Sequence, residues 1–183
     1  KSIRMSLRLA FYAFLCLSLF SATQLNAQEQ ESTTNYYLIR HSEKETSDKS
    51  NRDPELNEIG KKHAIYWAEI LKTVSFDAIY STNYIRTQKT AEPIAKQQQL
   101  TVLPYHPKTL FNAEFQEATL GKTVLIVGHS NSTPAFVNAI LGEKKFAAFN
   151  EDNYNSLFII SKHGEHSTPI LLNIPFRGSN SNY

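Results

Sequence analysis

The stretch Thr123-Val124-Leu125-Ile126-Val127-Gly128-His129 decides the fold class. Its apolar run is continuous and rich in β-branched residues, with no polar side chain at alternate positions. That pattern predicts a strand buried on both faces, as strands are when helices cover both sides of a parallel sheet. The segments around it agree. Tyr36-Tyr37-Leu38-Ile39, Ala78-Ile79-Tyr80 and Thr101-Val102-Leu103 read as further strands, and Leu157-Phe158-Ile159-Ile160 and Pro169-Ile170-Leu171-Leu172 as a late hairpin around Lys162-His163-Gly164-Glu165. Between them, Asn57 caps a predicted helix with apolar positions at Ile59, Ala64, Trp67, Ala68, Ile70 and Leu71. A second helix runs from about Tyr84 to Gln98, with Pro93 interrupting or kinking it. Residues 110–120 form a weak helix, and Thr133 to Leu141 a further one, with Pro134 in its tolerant first turn. Alternating β and α elements predict an α/β protein: a three-layer α/β/α sandwich with a mostly parallel central sheet.

The chain has 183 residues and a mass of 20.8 kDa, enough for one ordinary domain with a core and a pocket. The expected organisation is a signal peptide over 1–27, a flexible lead-in over 28–35, one domain over 36–175 and a tail over 176–183. Residues 1–27 carry Lys1, Arg4 and Arg8 and no acid, followed by an apolar run from Leu9 to Phe20 that is too short to span a bilayer. Leu25-Asn26-Ala27 ends on a small residue, which predicts cleavage before Gln28. Without those three bases the remaining chain has 16 basic against 17 acidic residues, so a nucleic-acid partner is unsupported. The only cysteine, Cys16, lies in the leader, and the large residues Phe14 and Leu15 before it do not fit a lipid-anchor signal. A mature chain without cysteine has no disulfide framework, thiolate metal site or cysteine nucleophile. The expected location is periplasmic or secreted, with no stable membrane anchor after cleavage.

Two of the predicted strands stop at a histidine, giving Leu38-Ile39-Arg40-His41 and Ile126-Val127-Gly128-His129. Ligands of open α/β sheets bind beyond the carboxyl ends of the strands, so both imidazoles are expected at one crevice. Gly128 allows close backbone approach there. Arg40 adjoins the first histidine, and Arg86 begins the helix after Tyr80-Ser81 at the same rim. Guanidinium forks match phosphate oxygens, and a neutral imidazole is a competent nucleophile near neutral pH. Phosphoryl transfer asks mainly for positioning and charge neutralisation, which cationic side chains can supply without a metal.

These residues resemble the histidine phosphatase superfamily, also called phosphoglycerate mutase-like. The resemblance rests on Arg40-His41 after a strand, on Arg86-Thr87-Gln88-Lys89-Thr90-Ala91 opening a helix, on Gly128-His129 after a strand, and on Leu56-Asn57-Glu58-Ile59-Gly60 with Ala64 at a helix start. It spans about residues 36 to 140. It implies that His41 is the phosphorylated nucleophile, that Arg40, Arg86 and His129 hold the phosphoryl group, and that water then hydrolyses the phosphohistidine, with no cofactor and no metal. Ser42 stands where the family usually has glycine, and Asn57 where it usually has threonine. Lys44 occupies a position where some relatives carry an extra arginine and is a candidate substrate contact; Ser130 is a candidate hydrogen-bond donor to the phosphate.

The proton donor to the leaving group is open at this level. Family members commonly supply a Glu or Asp after the third strand, but here that strand leads into Leu103-Pro104-Tyr105-His106-Pro107. His106 and Glu43 are equal candidates, with Glu114 third. His63 follows Lys61-Lys62 and reads as a surface residue, as do Lys49 and Arg52; His163 and His166 read as a solvated turn. Ser130 and Ser132 lack the second glycine of a serine-hydrolase elbow. The expected function is a secreted phosphomonoesterase acting on a phosphorylated small molecule or a phosphorylated cell-envelope component, with oligomeric state open. The alternative is a phosphate-binding module of the same fold with impaired chemistry. Mass-spectrometric mapping of the exported protein is expected to find Gln28 at the N-terminus; an intact Lys1 would refute the leader assignment.

Overall fold

A computed structural model of the chain describes residues 32–178. The leader, the cleavage position before Gln28 and the last five residues lie outside this span. Six strands form one sheet: β1 (Thr34–Arg40), β2 (Ala78–Ser81), β3 (Val102–Pro104), β4 (Thr123–Gly128), β5 (Ser156–His163) and β6 (His166–Asn173). Their spatial order is β3-β2-β4-β1-β5-β6. The first four are mutually parallel, while β5 runs antiparallel to β1 and β6 antiparallel to β5. The helices are α1 (Glu58–Ile70), α2 (Ile85–Gln98), α3 (Ala113–Thr119) and α4 (Ser132–Leu141).

Strand alternation sorts the core into two layers. Ile39, Ile79, Leu125, Val127 and Leu157 face Trp67, Ala68 and Leu71 at the α1 end and Ala91, Ile94 and Ala95 of α2. Tyr36, Leu38, Val124, Ile126, Phe158 and Ile160 face Phe115 of α3 and Phe136, Val137 and Ile140 of α4. β4 is central and buried on both faces, as its continuous apolar run requires. This is the expected three-layer α/β/α sandwich with a mostly parallel sheet.

Some local expectations are corrected. Ile59 and Ile70 are exposed, because the buried stripe of α1 runs through Gly60, His63, Ala64, Trp67 and Ala68. His63 is therefore fully buried rather than a surface residue: its ring stacks on Trp67 at 5.5 Å and on Phe176 at 4.5 Å between centroids. The Phe176 contact carries the packed body past residue 175, and β1 begins at Thr34, two residues before the expected boundary. Pro93 does not interrupt α2, which continues to Gln98 and buries Ile94 and Ala95 just beyond it. The missing N–H removes one helical bond, and that packing holds the following turn in place.

The start of α1 is held against the segment that follows β1. Asn57 caps the helix by accepting from the Gly60 N–H at 2.8 Å, while its own backbone N–H donates to the Glu43 carbonyl at 3.1 Å. Gly60 is required by this approach: a Cβ there would fall 1.9 Å from the Glu43 carbonyl oxygen and 2.9 Å from the Glu43 nitrogen. Gly60→Ala must push main chain against main chain. It is expected to destabilise the domain by roughly 1–3 kcal/mol or more, read as a lower urea midpoint at unchanged slope.

Candidate active site

The carboxyl ends of β1, β2 and β4 open into a crevice of about 740 Å³. His41, Arg40, Arg86, His129, Lys44 and Ser130 all line it, six of the residues singled out from sequence. The pairing of β1 with β4 places the two histidines: Arg40 pairs with Gly128, and the His41 N–H donates to the Gly128 carbonyl at 2.8 Å. Their rings lie 5.4 Å apart between centroids. A Cβ on Gly128 would meet Thr133 Oγ1 at 2.7 Å and the Tyr105 hydroxyl at 2.8 Å, so the strand end is as tight as its sequence implied.

His41 is 3% exposed. Its Nδ1 lies 2.7 Å from the Ser42 carbonyl, an acceptor only, so Nδ1 carries the proton and Nε2 keeps its lone pair. Burial pushes its pKa down to about 3; the Ser42 carbonyl opposes this, while Arg40, His129 and Arg86 add to it. The ring is neutral throughout the physiological range. Ser42, in place of glycine, is buried without disrupting the turn, its N–H donating to Thr90 Oγ1 at 2.9 Å.

His129 is fixed by hydroxyls absent from the sequence-based assignment. Arg86 Nη2 lies 3.4 Å from Nδ1, and Nε2 lies 2.8 Å from Thr82 Oγ1. Thr82 meets Thr87 Oγ1 at 2.9 Å, and Thr87 in turn donates to the Thr82 and Tyr84 carbonyls. A relay starting with Nε2–H on Thr82 satisfies each group and leaves Nδ1 as the acceptor toward Arg86. Burial, with Arg86, Arg40 and Lys44 adding to it, lowers the His129 pKa to about 4. Arg86 is held by Asp53 Oδ1 at 3.3 Å and by the Tyr84 ring 4.5 Å below it. The same Asp53 oxygen accepts from the Ile85 N–H at 3.0 Å, capping α2. Neither Asp53 nor Tyr84 announces itself by spacing, since Asp53 reaches this helix from a distant loop.

Arg40 is buried and turned toward residues 150–153. Its Nη1 donates to the carbonyls of Asn150, Glu151 and Asn153 at 3.0 to 3.1 Å, and Nη2 to Glu151 Oε2 at 2.9 Å. Tyr154 lies under the guanidinium at 4.2 Å and beside His41. Two guanidinium nitrogens of residues that line the crevice, Arg40 Nε and Arg86 Nε, are buried without a protein partner. Buried donors are normally satisfied, so two such N–H groups on cationic side chains suit an anionic ligand.

None of the three proposed proton donors lines the crevice. Glu43 accepts from buried His63 Nδ1 at 3.0 and 3.2 Å. Burial works to raise its carboxyl, but the His63 bond prevails and holds it below the ordinary range. His106 is exposed, accepts from the Lys108 N–H at 3.2 Å and does not line the crevice, although Pro107 and Lys108 do. Glu114 is exposed in the first turn of α3 and does not line it either. His163 and His166 pair across the β5–β6 turn, away from these strand ends.

Comparison with known proteins agrees with this picture. Residues 36–108 match the model of the histidine phosphatase superfamily (branch 1). No curated protein matches the chain. Among solved structures, a mycobacterial glucosyl-3-phosphoglycerate phosphatase superposes with a TM-score of 0.62 at 16% identity, over 79% of this chain and all of its own. A phosphohistidine phosphatase, so assigned provisionally, from Agrobacterium tumefaciens gives 0.57 at 19% identity, covering 76% and 97% of the two chains. A phosphoserine phosphatase from Entamoeba histolytica gives 0.56 at 18%, covering 75% and 94%. At these identities the structures share the fold. The resemblance read from the residues is borne out: the chain carries the histidine phosphatase pattern over residues 36–108, on a phosphoglycerate mutase-like fold.

The two low histidine pKa values have a consequence for stability. An unfolded histidine titrates near 6.5, so below that pH the unfolded chain binds protons that the folded site refuses. Stability is expected to fall as pH drops from about 6.5 toward 4, through His129, and on toward 3, through His41. Urea midpoints between pH 7 and pH 5 test this, and His41→Gln should flatten part of the slope.

Proposed function

We propose that this protein is a secreted phosphomonoesterase that passes the phosphoryl group of an ester to His41 and then to water, without a metal ion. The observation that carries the reading is the His41 tautomer. Nδ1–H is committed to the Ser42 carbonyl, and a neutral ring inside a crevice lined by Arg40, Arg86 and His129 offers Nε2 to phosphorus. The partial charges that grow on the phosphoryl oxygens during transfer meet the two guanidiniums and the imidazole edge of His129. The Ser42 carbonyl steadies the imidazolium character that develops on bond formation. Cationic side chains thus supply the neutralisation that a metal supplies elsewhere.

The substrate is a phosphorylated small molecule or a phosphorylated component of the cell envelope. An open crevice suits a broad or bulky leaving group, and export rests on the sequence of residues 1–27. Hydrolysis of nitrophenyl phosphate by the purified protein is expected to survive EDTA and to vanish in His41→Ala. Rapid acid-free quenching should trap a phosphorylated His41 in the parent protein. Activity abolished by the chelator, or retained in His41→Ala, would overturn the mechanism; phosphate binding with no turnover would favour the binding-module alternative.

A further inference from the structure

Among the described residues, the crevice is lined by one carboxylate, and it is none of the three proposed from sequence: Glu151, in the segment between α4 and β5. Its two oxygens are bound separately. Oε2 accepts from Arg40 Nη2 at 2.9 Å, and Oε1 accepts from Ser130 Oγ at 3.0 Å. It therefore bridges the end of β1 and the loop before α4, the two elements that carry His41 and His129. Its side chain is 77% exposed, whereas His41 lies buried at the floor. In-line displacement by a nucleophile at the floor sends the leaving oxygen toward the mouth, where this carboxylate stands.

Resting on the phosphatase reading above, we propose that Glu151 is the catalytic acid and base of the reaction. Substrate binding prepares it. A phosphoryl dianion seeks the same donors, Arg40 and Ser130, and brings negative charge beside the carboxylate. Loss of those bonds and like-charge repulsion both favour the protonated form. The Ser130 bond, Arg40 and Lys44 hold the carboxyl below its usual range, opposed by slight burial. Those same contacts are the ones the substrate competes for.

In the first step Nε2 of His41 forms a bond to phosphorus while the bond from phosphorus to the ester oxygen breaks. The electron pair goes to that oxygen, which takes the Glu151 proton and leaves as the alcohol. In the second step the Glu151 carboxylate takes a proton from water as the water oxygen attacks phosphorus. The nitrogen–phosphorus bond breaks, its pair returns to Nε2, and inorganic phosphate departs with Glu151 protonated again.

Leaving-group dependence separates this role from mere support of Arg40. Alkyl phosphates need a proton on the departing oxygen, and nitrophenyl phosphate scarcely does. With the full chain, Glu151→Gln should lower kcat/KM for an alkyl phosphate by about 10²-fold or more, and that for nitrophenyl phosphate by a clearly smaller factor. Glu151→Asp should recover part of the alkyl phosphate loss, and unchanged thermal melting would verify folding. The alkaline limb of the parent's kcat profile on alkyl phosphate should disappear in Glu151→Gln. Equal losses on both esters, or no loss, would overturn the assignment while leaving phosphohistidine chemistry standing. A parent protein that hydrolyses neither ester would overturn the phosphatase reading and this role together.

Discussion

The site depends on the parallel pairing of β1 with β4. Both strands end at the same level, and a single hydrogen bond from the His41 N–H to the Gly128 carbonyl at 2.8 Å extends the ladder one residue beyond the paired strands. The two imidazoles are thereby set by the main chain. A register shift of one residue would reverse which side chains face each helix layer, so the apolar core that fixes the strands also fixes the histidines. β5 on the other side of β1 closes the arrangement and leaves β1 no freedom to slide.

Around this fixed pair, the protein uses neutral hydroxyls and main-chain carbonyls in place of further charge. Thr82 and Thr87 orient His129, Thr90 holds the turn at Ser42, and the 150–153 carbonyls receive Arg40. Such partners satisfy buried donors without cancelling the positive potential that an anion needs. Two carboxylates are exceptions, Asp53 on Arg86 and Glu151 on Arg40; they are 39% and 77% exposed, so water weakens their pull. Glu43 belongs to a separate support: the buried His63, between Trp67 and Phe176, holds its carboxylate two residues from His41.

Much of this was legible in the sequence because the strands are short and buried. A strand covered on both faces is apolar until it leaves the sheet, so Arg40-His41 and Gly128-His129 mark their own positions. The Asn57 cap is legible for the same local reason. His63 was obscured by Lys61-Lys62, although it stands four residues before Trp67 on the buried stripe of α1 and could have been assigned from that spacing. Glu151 had no such signal. It lies in a segment without regular periodicity, and its place is set by contacts with Arg40 and Ser130 from distant parts of the chain. Nothing in the proton-donor choice among His106, Glu43 and Glu114 could register that fold-dependent meeting.

The depth at which each cation sits divides the crevice into two electrostatic regimes. Lys108 is exposed at the rim and Lys44 half-buried, while Arg40 is almost wholly enclosed and Arg86 nearly so. Dissolved ions screen exposed charges within about 8 Å at physiological ionic strength, but enter an enclosed site poorly. On the phosphatase reading proposed above, the lysines would serve as a salt-sensitive antenna for anions in solution, and the arginines would hold the bound anion with a strength that the surrounding electrolyte hardly alters. On that reading, capture and retention fall to different parts of one pocket, and a saltier medium would slow the first while sparing the second.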